Sequence, residues 1–315
     1  MIRAAVIGVG YLGRFHAQKY ASLPNSQLVG IADPSAAARE AVAAELKVAA
    51  HADYRELLGK VDAVSIVTPT ASHFEVAKAF LEAGAGVLVE KPMTVSTAEG
   101  EELIGIAQRA QRILQVGHLE RFNAAVLAVQ PTLTVPRFIE SARLAPFKHR
   151  GTDVDVVLDL MIHDIDLILS IVRSPVVSVD AIGSSVFSKE IDIANARLRF
   201  ANGCVANATA SRVSLKTERK LRLFQDDAYM SLDLQQKILT VIRKGDGVGP
   251  DGMPQVAIEE NTYEQGDALK AEIEAFLQAV ATGEAPPVTG EDGLLALRTA
   301  VSITEQVASS MKQFA

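Results

Sequence analysis

The first thirteen residues constrain this chain more than any other stretch. Ile2 to Ile7 is a short apolar run that leads into Gly8-Val9-Gly10-Tyr11-Leu12-Gly13, and a helical stretch follows to about Leu23. Glycines at this spacing, after a strand and opening a helix, have separate tasks. Gly8 makes the tight turn, Gly10 lets a pyrophosphate approach the backbone, and Gly13 lets helix and strand pack closely. Tyr11 and Leu12 belong to the same cradle, where the helix N-terminus faces the phosphates. Asp33 ends a second apolar run, Leu28-Val29-Gly30-Ile31-Ala32. There a carboxylate can accept both ribose hydroxyls and would repel a 2′-phosphate, which favours NAD over NADP. Asp33 could also cap the alanine-rich helix after Pro34, and the two roles are compatible.

The pattern repeats. Val61 to Val67 reads as a buried strand ending in Thr68-Pro69-Thr70-Ala71-Ser72-His73, and Gly86 to Val89 as another ending in Glu90-Lys91-Pro92. In open α/β sheets the ligand lies beyond the carboxyl ends of the strands. Thr68, Pro69, Glu90 and Lys91 are therefore expected at the cofactor, with Lys91 pointing into the site. The plainer reading of Glu90 and Lys91 is a solvated charge pair. His73 either reaches the cofactor or is an exposed first-turn residue. Ile113 to Gly117 closes the series, and strands alternating with helices predict a doubly wound parallel sheet with right-handed crossovers. The next stretch, His118-Leu119-Glu120-Arg121-Phe122-Asn123, is unusually polar for a strand end. Arg121 and Asn123 read as ligand-handling groups, and His118 as one of these or as a hinge histidine.

From Pro136 the rhythm changes. Phe138 to Leu144 alternates as a strand, Val154 to Val172 reads as one long helix, and six further alternating runs lie between Val176 and Arg243. This predicts a large open, mainly antiparallel sheet. Gly245 to Pro254 reads as a glycine-rich loop, with two closing helices, Asp267–Thr282 and Glu291–Gln313. The expected division is a dinucleotide-binding domain over 1–118 and an α+β domain for substrate and oligomer contacts over 119–315. On the long helix Asp159 and His163 are four residues apart, hence on one face, with Asp166 a turn further on. Asp159 can fix the tautomer of His163 and raise its basicity, as proton transfer requires. The same residues could instead form a packing hydrogen bond, or hold a divalent metal, although spacing assures no further ligand.

Composition removes several classes of function. A net charge of −7 without a basic run argues against nucleic acid, as does the lack of tryptophan. Cys204 is the only cysteine, so a disulfide framework is excluded. No apolar run reaches membrane-spanning length, and the chain enters a strand at once, so the cytoplasm is the expected compartment.

With these residues in hand, the chain resembles the glucose–fructose oxidoreductase / inositol dehydrogenase (Gfo/Idh/MocA) family over essentially its full length. The marks are the N-terminal glycine motif, Glu90-Lys91-Pro92 and Asp159-x-x-x-His163. The resemblance implies an NAD-dependent dehydrogenase in which Lys91 and His163 flank the reacting carbinol and Asp159 supports them. It also implies a homodimer or homotetramer formed through the outer face of the second sheet. The stretch Gly117 to Asn123 is similar to the branch that oxidises C3 of a UDP-N-acetyl-sugar and feeds an aminotransferase. Where the family often has paired glycines before the helix, this chain reads Asp153-Val154-Asp155-Val156-Val157. For a diphosphate in an acidic protein a local cationic patch is needed. Arg121, Arg143, Lys148 and Arg150 are the expected members, with His118, Glu120 and Asn123 beside them at the substrate. The alternatives are an inositol or monosaccharide dehydrogenase or reductase of the same family and, further off, a non-catalytic dinucleotide sensor. The sensor would have no need of Lys91, Asp159 and His163.

Overall fold

The computed structural model describes residues 1–147, 154–248, 252–263 and 266–312. Two compact units result, Met1–Leu119 with Asp267–Leu295, and Glu120–Gly266 with Ala296–Ala315.

The first unit alternates strands and helices in chain order: β1 (Ile2–Ile7), α1 (Tyr11–Ser22), β2 (Ser26–Ala32), α2 (Ala36–Leu46), β3 (Ala49–His51), β4 (Ala63–Ile66), α3 (His73–Glu82), β5 (Gly86–Glu90), α4 (Thr97–Ala110) and β6 (Leu114–Gly117). The strands form one parallel sheet in the order β3-β2-β1-β4-β5-β6. Strand order reverses between β1 and β4, which opens a crevice beyond their carboxyl ends. Ala4 to Ile7 of β1 and nearly all of β4 and β5 are buried because helices cover both faces. Ser96 starts α4 with a capping box closed by Glu99, satisfying two backbone donors that the helix cannot. The short edge strand β3 has two exposed alanines and carries no strong sequence signal.

The second unit holds α5 (Ala124–Val129), β7 (Phe138–Leu144), α6 (Ile162–Val172) and seven further strands: β8 (Val176–Ser184), β9 (Ile193–Phe200), β10 (Val205–Ser211), β11 (Glu218–Phe224), β12 (Ala228–Asp233), β13 (Ile238–Val248) and β14 (Pro254–Thr262). Its eight-stranded sheet runs β14-β13-β12-β11-β7-β10-β9-β8. The pairing is antiparallel except between β7 and β10, which are parallel. Burial alternates along β7, β9 and β12, as expected of a sheet covered on one face. Ala206, Ala208 and Ala210 line the covered face of β10, and Ile165, Ile168 and Leu169 of α6 belong to the same core.

Three expectations need correction. The glycine-rich loop is partly strand. β13 runs on to Val248, and a Cβ at Gly247 would lie 2.7 Å from the Gln255 side chain of β14. Glycine there leaves room for the Gln255 side chain across the pair, and the alternation rule cannot see that. The long helix opens with a π-turn over Val157–Met161 before α6 begins. Finally, α7 (Ala268–Thr282) belongs to the first unit. Its Ile273, Phe276 and Leu277 share a core with Val6, Ala17 and Tyr20, where each buried side chain contributes about 1.5–3 kcal/mol. The last helix, α8 (Gly290–Met311), gives its first residues to the first unit and the remainder to the second.

Candidate active site

In the first unit the glycine turn has the form its sequence demands. Gly8 sits at φ +83°, where a Cβ would strike the Val67 carbonyl oxygen at 2.7 Å. A Cβ on Gly13 would come within 1.8 Å of the Gly8 carbonyl oxygen. A Cβ on Gly10, the N-cap of α1, would meet nothing within 4 Å. Two glycines thus serve packing, and the third faces open space above a helix N-terminus whose first turn carries no acid. Asp33 accepts the Val9 and Ser35 backbone N–H groups, each at 2.8 Å. Ser35, not Asp33, caps α2.

Gly8, Gly10, Asp33, Thr68 and Pro69 line a cavity of about 650 Å³. This volume is that of a small-molecule site, and the open backbone at Gly10 together with the Asp33 carboxylate fits the pyrophosphate and ribose of NAD. Tyr11 is exposed, and Leu12 half-buried beside it, at the start of α1. The turn Ala52–Arg55, absent from the sequence reading, lines the same cavity. The Arg55 guanidinium lies 5.0 Å over the Tyr54 ring. The available signal was Asp53, which accepts the Arg55 N–H and starts a 3-10 turn.

Around the Lys91 turn the structure gathers buried histidines. His16 is fully buried and lies 3.2 Å from the Glu90 carboxylate. Its signal was its place on the covered face of α1, among Gly13, Ala17 and Tyr20. Gly117 pairs with Glu90, and a Cβ there would touch that carboxylate at 2.9 Å. His73 is 1% exposed, with its ring nitrogens 2.8 Å from the Thr68 carbonyl and 2.9 Å from the Pro92 carbonyl. It ties the loop after β4 to the turn after β5, so the expected contact with cofactor is replaced by a positioning role. Burial pushes its pKa down, against the two carbonyls and Glu90. The neutral ring has one N–H to share between two acceptors. Lys91 is half-buried, in a cis peptide with Pro92, and His118 is 1% exposed.

In the second unit Asp155 caps the helix start by accepting the Val157 and Leu158 N–H groups at 2.8 and 2.9 Å. Asp159 lies in the π-turn and His163 in α6, both half-buried. The rotation between them is therefore not that of a plain α-helix, which corrects the simple stacking argument. π-turns of this kind are frequent at functional sites.

The expected cationic patch is not a free one. Arg143 is 3% exposed and closes its fork on Asp164 at 2.8 and 3.1 Å while donating to Glu120 at 3.0 Å. Burial works against its charge, but Asp164 and Glu120 outweigh that and hold its pKa above the usual arginine value. Arg121 makes two 2.7 Å bonds to Asp166. Asn123 caps α5 and donates to the Leu234 carbonyl. Arg121, Arg143, Glu120 and Asn123 are thus each engaged by partners within their own unit, so the expected patch is already paired with acids. Asp166, committed to Arg121, also leaves the set considered for a metal. Lys148 and Arg150 lie outside the described residues.

The pattern of an oxidoreductase family with an NAD-binding Rossmann fold matches residues 2–118, and that of its C-terminal alpha/beta domain matches 147–313. The chain belongs to the Gfo/Idh/MocA family. It is therefore an oxidoreductase with an NAD-binding Rossmann fold. UDP-N-acetylglucosamine 3-dehydrogenase of Acidithiobacillus ferrooxidans is 42% identical over 99% of each chain. A solved structure of that protein superposes with a TM-score of 0.93 over 98% of each chain. An inositol 2-dehydrogenase of Rhizobium meliloti is 25% identical over 98% of this chain and 97% of its own length. Levoglucosan dehydrogenase in complex with NADH and L-sorbose shares the fold at 19% identity, with a TM-score of 0.87 over 98% of this chain and 97% of that one. No helix among the described residues is long and apolar enough to cross a membrane.

Proposed function

We propose that this enzyme oxidises the C3 hydroxyl of a UDP-N-acetyl-sugar, UDP-N-acetylglucosamine first among them, to a ketone. The observation that carries this reading is the 42% identity to a UDP-N-acetylglucosamine 3-dehydrogenase along the whole of both chains. The 3-keto product is suited to an aminotransferase, because an amine condenses with a ketone and not with an alcohol. NAD supplies the hydride acceptor. Gly8, Gly10, Asp33, Thr68 and Pro69 would line its site, with Gly13 giving the close approach that shapes the turn. His163 takes the proton of the hydroxyl being oxidised, whose oxygen stays on the carbon as the ketone, and Asp159 keeps its tautomer suited to that task. The Lys91 ammonium orients the hydroxyl and stabilises the negative charge that develops on its oxygen. Glu90 and His73 fix the turn that carries Lys91. Lys148 and Arg150 remain the cations proposed for the diphosphate, and a free NAD pool makes the cytoplasm the expected setting. Phe138, Phe224 and Tyr229, stacked along neighbouring strands of the second sheet, support assembly of a homodimer or homotetramer through that face.

The loss of Arg121 and Arg143 from the expected patch favours one rival, a dehydrogenase of free polyols. NADH formation measured across UDP-sugars, myo-inositol and glucose separates the two. Turnover of UDP-N-acetylglucosamine is expected. Ready oxidation of myo-inositol or glucose with no reaction of UDP-sugars would overturn the proposal.

A further inference from the structure

Aromatic residues make up 5% of this chain and tryptophan is absent, so an exposed phenyl ring leaning on a half-buried one needs a reason. Phe147 follows β7, and Phe187 lies in the connection from β8 to β9. Their centroids are 5.3 Å apart at 78°, an edge-to-face pair, and Phe187 is 65% exposed.

The loop that presents Phe187 is held firmly. The Asp192 carboxylate, fully buried, accepts the N–H groups of Val186, Phe187 and Ser188 at 2.8, 2.6 and 2.9 Å. It also accepts the Ser188 hydroxyl at 2.7 Å and Arg212 Nε at 2.8 Å. Burial opposes its charge, but these donors hold its pKa well below the usual carboxylate range. Arg212 in turn donates to the Val154 carbonyl at 2.6 Å, and Val156 N–H to the Ile191 carbonyl at 2.9 Å. The exposed ring is thus fastened to the residues that open the helix carrying Asp159 and His163. A solvated loop with no ligand has no need of a buried carboxylate with five donors to fix one phenyl ring.

We infer that Phe147 and Phe187 form a platform on which the planar base of a sugar nucleotide, here uracil, stacks. This rests on the nucleotide-sugar reading above and adds to it the residues that recognise the base. Stacking suits the observations because it requires an exposed, immobile π-face and no charge. A free polyol has no π-face and gains nothing from such a platform.

The test uses the full-length enzyme, with UDP-N-acetylglucosamine as substrate and UMP as the probe of the base site. Phe187→Ala is expected to raise both KM and the UMP inhibition constant about tenfold, within the roughly five- to hundredfold range of a lost base stack. The loss should fall on KM rather than kcat, and Phe187→Tyr should restore the wild-type value. NAD binding should be unaltered. Unchanged KM and UMP inhibition in both Phe187→Ala and Phe147→Ala would overturn the platform and leave the substrate assignment standing. A changed sedimentation coefficient with unchanged KM would overturn it too, by making the pair a contact between copies of the chain. Failure of the wild-type enzyme to turn over any UDP-sugar would overturn both readings, and that result needs no variant.

Discussion

The two units bury polar groups near strand ends in opposite ways. In the first, the groups are held but not used up: a Cβ at Gly10 would meet nothing within 4 Å, and the Asp33 carboxylate takes two backbone donors while lining a cavity. In the second, the charges close on one another. Arg143 is bound by Asp164 and Glu120, Arg121 by Asp166, and Arg212 by Asp192. A buried charge must find a partner or be expelled, and the sequence already contained the carboxylates to provide one. The lesson is that an arginine beside a ligand-rich stretch tells little about ligands until the acids within its reach are counted.

The sharpest break in this comparison comes at Lys91. Lys91→Met should lower kcat by roughly two to four powers of ten, the general acid–base range, and leave NAD affinity and the melting transition in place. His163→Asn should behave alike. Near wild-type turnover in either variant, followed by NADH absorbance, removes that residue from the mechanism.

Arg143→Ala tests the closed network. It strands Asp164 in a buried site and takes one donor from Glu120, and unfolding experiments should show a loss of about 3–5 kcal/mol. An arginine that served a diphosphate would instead raise KM and spare stability. Measuring both quantities on one preparation decides between these roles.

Asp33→Ala probes the open network. Up to two charge-assisted bonds to ribose are lost, each about 1.5–3 kcal/mol at most, so calorimetry should show weaker NAD binding and relaxed discrimination against NADP. Wild-type protein that binds NADP as well as NAD would contradict the role given to this carboxylate.

The smallest effect is expected at His73. Its folded pKa lies below the ordinary value because burial disfavours the charged ring. The unfolded chain therefore binds the proton more readily. This part of the stability is complete above about pH 6.5 and is lost as pH falls from there through the folded pKa. In His73→Gln that component should vanish, so the difference in melting temperature between wild type and variant should narrow on acidification.

Much of the first unit was legible because each element announced itself locally. Gly8, Gly10 and Gly13 sat between a strand and a helix, and Asp33 closed the strand that followed. Seven of the second unit's strands could be read from alternation, but β14 and the order of the sheet could not. The parallel pairing of β7 with β10 joins segments between which α6, β8 and β9 intervene in the chain, and no local signal encodes that. His73, Arg121, Arg143 and Asn123, all expected near a ligand, are polar groups with partners elsewhere in the fold that residue type does not reveal. The Leu234 carbonyl that receives Asn123 is an example. Residue type announces the capacity to bond, but only the folded chain says with what. The π-turn at Val157–Met161 was hidden for a related reason, since an apolar run looks alike at either helical period.

The place of α7 has a consequence for how the protein is made. The first parallel sheet is synthesised by Gly117, yet the apolar face completed by Ile273, Phe276 and Leu277 must wait for α7. At roughly 5–20 residues per second that interval is on the order of 10–30 s. During it Val6, Ala17 and Tyr20 present an unfinished face to the surrounding cell. A fragment ending at Leu119 would carry every glycine of the dinucleotide motif and still lack part of its core. The nascent chain is thus expected to lean on a chaperone, and the nucleotide-binding unit to become competent only as the last tenth of the protein leaves the ribosome.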